Sequence, residues 1–148
     1  MKPDPSLVLE RTVQALLGEI APAMTPPYRA ASVSVQAMLL GVAREEIDRA
    51  AARRVEENAA LRKLFAEGAP VVRDAGLRER LGSAAVSADP SLRVPDLDAT
   101  NQALRALLIG LHAHVETLPG PEARALEGAI WRELAASTER RRIAIAPF

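Results

Sequence analysis

From Tyr28 to Glu67 the chain carries no proline and one glycine, Gly41. Tyr28, Ala31, Val35, Met38 and Val42 recur every three or four residues, the period of one helical face. Leu39, Leu40 and Ala43 widen that stripe, and the fourteen residues Ala30 to Ala43 carry no charge. A helix that is apolar most of the way round belongs in a core. Fourteen residues are too few to span a bilayer, which takes about twenty. The pattern therefore puts Ala30 to Ala43 at the centre of the fold. Beyond Ala43 the stripe narrows to Ile47, Ala51, Val55, Leu61 and Phe65, set among charged residues that include an i,i+4 pair, Glu45 and Arg49. A helix of this length would be about 60 Å long, against about 40 Å for a compact chain of this size. Either it breaks, with Asn58 the best place for a left-handed cap, or its end projects toward a partner.

The flanking elements read in the same way. Asp4 and Pro5 form a helix start, followed by a stripe of Leu9, Val13, Leu16 and Ile20. Pro22, Pro26 and Pro27 make a turn, Thr25 is a candidate cap, and Gly68 and Pro70 close the long helix. Val71 to Val86 gives a weaker helix on Leu77, Leu81 and Ala84, because Gly76 and Gly82 each cost about 1 kcal/mol relative to alanine. After a loop from Ser87 to Pro95, Asp96 is the expected cap of the most regular helix. Its seam is Leu97, Asn101, Leu104, Leu108, Leu111, Val115 and Leu118. Asn101 is the polar member of that seam and reads as a buried amide that fixes register. Pro121 opens a last helix with Leu126, Ile130 and Leu134 inward and Trp131 on its flank. No segment before the tail alternates as a strand would. The expected fold is all-α, an antiparallel helical bundle of five or six helices in a single domain, 1–148. Its core would be Val35, Met38, Leu39, Leu104, Leu108, Leu111, Ile130 and Leu134.

Composition narrows the function classes. The chain is 49% hydrophobic but only 3% aromatic, so the core is aliphatic and suited to close helix packing. There is no cysteine, which excludes disulfides and thiolate-ligated zinc. Nineteen basic and nineteen acidic residues cancel, so no nucleic-acid partner is expected. Arg140, Arg141 and Arg142 read as cations at a helix C-terminus. No basic stretch leads into a long apolar run, so no signal peptide is expected and the cytoplasm is the default location.

Chemistry-bearing motifs are scarce. The two histidines lie in LHAHVE, His112 to Glu116. Residues two apart on a helix point about 160° away from each other, so His112 and His114 cannot share an ion. His112 and Glu116 could, but they are two ligands only, and further donors such as Glu127 or Glu19 have no assigned place. No metal and no cofactor are expected. Glu45-Glu46 and Glu56-Glu57 read as solvated surface. No nucleophile elbow, phosphate loop or dinucleotide fingerprint occurs, so no catalytic residue is assigned.

Leu9 to Pro22, the alanine-rich helix from Tyr28 with its Arg44-Glu45-Glu46, and Asn101-x-x-Leu104-Arg105 resemble a family of small bacterial all-helical proteins of unknown function. Its members are often encoded beside phosphotransferase-like and acyl-CoA dehydrogenase genes. The resemblance implies an accessory role and carries over no catalytic residue. The leading expectation is a non-catalytic protein-interaction module. Its rival is a bundle that binds a small ligand, and is possibly enzymatic, between helices near Ser32, Gln36, Asn101, His112 and Trp131. The apolar tail from Ile143 to Phe148 would be sticky if left in water. It is expected to dock on its own bundle or across a symmetric homodimer, the commonest closed assembly.

Overall fold

The computed structural model describes Lys2 and residues 4–143. Its elements are α1 (Pro5–Ala15), a π-helical turn (Leu16–Ile20), a short α2 (Ala21–Ala23), α3 (Pro27–Gly68), α4 (Ala75–Ala85), α5 (Val94–Val115) and α6 (Pro121–Arg140). The fold is an all-α helical bundle, with no strand among the described residues. None of these helices is long and apolar enough to cross a membrane. Of the expected tail, only Ile143 is described, and it is partly exposed; the rest lies outside the described residues.

Helix starts follow local capping chemistry. Asp4 accepts a hydrogen bond from the Ser6 N–H at 2.9 Å, with Pro5 in the first turn. Asp74 accepts from the Leu77 N–H at 2.6 Å and starts α4 in spite of its two glycines. α5 begins at Val94, earlier than an Asp96 cap would allow. Pro95 suits a first turn because it lacks the N–H that would go unpaired there. Ser91 accepts from the Arg93 N–H and donates to Asp96, so Asp96 stays in the first turn, where the helix dipole favours a carboxylate. α6 starts at Pro121, after Gly120 turns the chain at φ +112°.

α3 is one continuous helix of 42 residues, unbroken at Asn58. The chain nevertheless divides into two compact units inside it, one reaching to Ala50 and the other running Ala51–Arg142. In the first, Arg44 donates to Ser6 at 3.2 Å and pairs with Glu10 at 3.1 Å. The chain reverses between Ala23 and Pro27, so α1 and the first part of α3 form an antiparallel hairpin. Its buried hydrophobic residues are small ones: Ala21, Val33, Ala37 and Ala50.

That corrects the expected centre of the fold. Val35, Met38 and Leu39 are 51%, 38% and 59% exposed. Val35 and Leu39 point within about 20° of Tyr28, whereas Val33 and Ala37 point about 140–180° away from it. A helix apolar on every side offers two stripes, and the packed one is the stripe whose small side chains let the backbones approach. Ile47 is also exposed, although it falls on the expected stripe. Ile20 is exposed as well. It closes the wider π turn, which puts it out of phase with Leu9, Val13 and Leu16.

The second unit is an up-down-up-down arrangement of the end of α3, α4, α5 and α6. Polar contacts fix its directions. Arg54 meets Asp98 and Asn58 meets Asn101, so α3 and α5 run parallel. The Arg73 N–H donates to His114, at the opposite end of α5, so α4 returns antiparallel to it. Arg105 meets Ser137 and Asn101 meets Arg141, so α6 is antiparallel to α5. The core contains Leu61, Phe65, Val72, Leu77, Leu81, Leu104, Leu108, Leu111, Val115, Leu126 and Ile130, with Leu134 packed at its edge. Gly68 ends α3 where a β-carbon would lie 3.3 Å from Leu126 and 3.4 Å from Leu111, so only a bare backbone fits without a shift.

Truncation should locate this core. Phe65, 0% exposed, should cost about 3–5 kcal/mol as Phe65→Ala, and Leu108→Ala about 2–5 kcal/mol. Urea unfolding followed by circular dichroism measures both. Losses under 1 kcal/mol would place the core elsewhere.

Candidate functional site

The densest polar chemistry is buried at the end of the second unit where α5 begins and α6 finishes. Glu57 on α3 is only 2% exposed. Its Oε1 accepts from Arg105 at 3.0 Å, from Arg141 at 3.1 Å and from the Ser137 hydroxyl; its Oε2 accepts from Asn101 at 3.0 Å and Arg141 at 2.5 Å. A carboxylate offers about four lone-pair positions, so these donors leave Glu57 no acceptor capacity with which to take a substrate proton. It is a structural anion. Burial, the largest single influence, pushes its carboxyl up. The hydrogen bonds from Arg141 and Ser137 and the charges of Arg141 and Arg105 outweigh burial and hold it below the usual carboxylate range.

Asn101 is saturated too. Its amide hydrogens go to Glu57 and, at 2.9 Å, to Asn58, while its oxygen accepts from Arg141. Asn58 in turn donates to Asp89 at 2.9 Å and to the Leu97 carbonyl at 3.4 Å. Asp89 closes the cluster from the α4–α5 loop with a 2.7 Å ion pair to Arg62. The Arg62 hydrogen bond, helped by that from Asn58, lowers the Asp89 carboxyl against the opposing effect of burial. Glu133 on α6 behaves oppositely. It touches Arg140, yet burial dominates, and with the nearby Glu57 charge it raises the Glu133 carboxyl.

A second cluster lies at the other end of α5. His112 meets Trp131 edge to face, with ring centroids 5.2 Å apart and planes at 88°. Its Nε2 is 3.6 Å from Glu116. Glu127, from α6, completes a set whose donor atoms all lie within 4.8 Å of one another. His114 faces elsewhere and accepts from the Arg73 N–H at 3.2 Å.

The residues named for a ligand pocket fall in both units. Ser32 and Gln36 are exposed in the first unit, and the Ser32 hydroxyl donates to the Tyr28 carbonyl. Asn101 lies in the Glu57 cluster, about 16 Å along α5 from His112 at 1.5 Å per residue. Within the second unit, His112 and Trp131 are brought together. Glu57, read as solvated surface beside the exposed Glu56, is the correction with most consequence. The signal that could have found it was the Asn101 seam: a buried amide needs polar partners, and a neighbouring helix must supply them. Comparison with protein-family models, with curated proteins and with solved structures finds no match to this chain.

The pKa directions have a sign in stability. Glu57 and Asp89 are lowered on folding, so the stability they contribute is present above the unfolded carboxyl values, about 4. It is lost as pH falls through their folded values. Glu133 is raised, so its contribution is present below the unfolded value and is lost as pH rises through the folded one. Glu57→Gln should cost about 1–3 kcal/mol at neutral pH and flatten the acid limb of the stability profile. Glu133→Gln should cost less and leave that limb in place. Urea midpoints between pH 3 and 7 measure this; an unchanged acid limb in Glu57→Gln would sink the assignment.

Proposed function

We propose that the protein is a cytoplasmic, non-catalytic interaction module that works as a symmetric homodimer joined through its first unit. One observation carries this reading. Among the described residues the first unit buries only alanines and a valine, while Leu7, Val8, Ile20, Met24, Tyr28, Val35, Met38, Leu39 and Ile47 are exposed. With Ile143 of the same unit they outnumber the five exposed large hydrophobics described in the second unit. A two-helix hairpin cannot enclose a core of its own. Two hairpins related by a two-fold axis can, as a four-helix bundle. An apolar surface this concentrated marks an interaction site. The accessory role implied by the family resemblance points the same way. Balanced charge and the saturated Glu57 argue against nucleic-acid binding and acid–base catalysis at that cluster.

Light scattering on full-length protein at tens of micromolar should give twice the chain mass. The double change Val35→Glu with Leu39→Glu should give a monomer of unchanged helicity. Ile109→Glu, at a 71% exposed position on α5, should leave the dimer intact. A wild-type monomer under these conditions would end this reading.

A further inference from the structure

We propose that His112, Glu116 and Glu127 form a binding site for a single divalent transition-metal ion of the zinc class, at the end of the second unit where α5 turns into α6. In the sequence only His112 and Glu116 could be paired, because Glu127 had no known place. The antiparallel return of α6 supplies it. One imidazole nitrogen and two carboxylate oxygens, from two helices, lie within 4.8 Å of one another.

Tetrahedral coordination at metal–ligand distances of 2.0–2.2 Å puts donor atoms about 3.4 Å apart. The donors need to close by about an ångström. The His112–Glu116 pair, at 3.6 Å, already has nearly that separation, so the closure falls on side-chain torsions of Glu127 and of Glu116, whose side chain is 58% exposed. His112 is already placed. Its ring packs edge to face with Trp131, and its Nε2 is buried with no hydrogen bond reaching it. A buried ring nitrogen without a partner costs free energy, and a metal bond would remove that cost. Two carboxylates also neutralise a dication. α5 ends at Val115 with Glu116 as its cap, so the negative end of the helix dipole adds to the attraction. With three protein donors, water completes the coordination. A nitrogen and oxygen set of this kind favours zinc, nickel or copper over manganese.

Trp131 is the chain's only tryptophan and touches the ligand imidazole, so it reports binding directly. Tag-free protein, stripped with chelator and dialysed, is titrated with Zn2+ by calorimetry and with Ni2+ by tryptophan fluorescence. The expected result is one ion per chain, quenching by Ni2+ and a rise in thermal midpoint with Zn2+. His112→Ala should abolish binding. Glu127→Gln, which keeps the side-chain shape should the alanine variant not fold, should weaken it at least tenfold. His114→Ala should bind as the parent does. No saturable one-to-one binding, or equal affinity in Glu127→Gln, would overturn the proposal. The readouts do not depend on the dimer, so either reading can fail alone.

Discussion

Glu57 sets the terms on which the second unit can fold. A carboxylate taken out of water costs several kcal/mol unless its charge and lone pairs are matched. Matching it needs Asn101 and Arg105 from α5 and Ser137 and Arg141 from α6 at one level along the bundle. A slip of one helical turn in either helix would carry those donors about 5.4 Å away and leave the charge bare. The aliphatic core has no such preference. Leucines on neighbouring turns are nearly equivalent knobs, and with Phe65 the one buried aromatic among the described residues, few shapes there are unique. Register is therefore set by the polar end, while most of the burial energy comes from the apolar end.

The two parts of α3 show what side-chain size does. Up to Ala50 its buried hydrophobics are Val33, Ala37 and Ala50; beyond Ala51 they are Leu61, Leu64 and Phe65. Small residues allow close approach but bury little area, and burial is worth only about 25 cal/mol per Å2. The hairpin of the first unit is thus poor in stabilisation of its own and rich in uncovered apolar surface. The bundle of the second unit is enclosed. This imbalance, rather than any motif, makes the first unit the interaction surface in the reading we propose.

The fold class was legible because proline-free stretches with apolar residues three and four apart recur along the chain, and the α5 seam could be read residue by residue: Leu97, Asn101, Leu104, Leu108, Leu111 and Val115 are all buried. Two things were not legible, for different reasons. The uncharged stretch from Ala30 to Ala43 offers apolar side chains on all faces, so periodicity cannot say which face packs. Glu57 sits among Arg53, Arg54 and Glu56, and composition marks such a segment as solvated. Only the pairing of α3 with α5 and α6 shows that Glu57 is among the charges that point inward. Glu127 illustrates the same limit. Its relation to His112 is a fact about the α5–α6 turn, and local sequence does not contain it.

Glu57 and Glu133 also show why contact with an arginine does not by itself decide a carboxyl's charge. Glu57 is buried and Glu133 partly so, and both touch a guanidinium. Glu57 accepts from two arginines, a hydroxyl and an amide, and these together overcome burial. Glu133 has Arg140, and it also feels the charge that Glu57 keeps. Each group's preference follows from the number of donors aimed at it. Holding Glu57 ionised is part of what raises Glu133, so the two titrations are coupled. α3 and α6 then carry carboxyls that acid affects in opposite directions: protonation removes the anion on Glu57 that Arg105 and Arg141 require, and relieves the one on Glu133 that Arg140 only partly offsets.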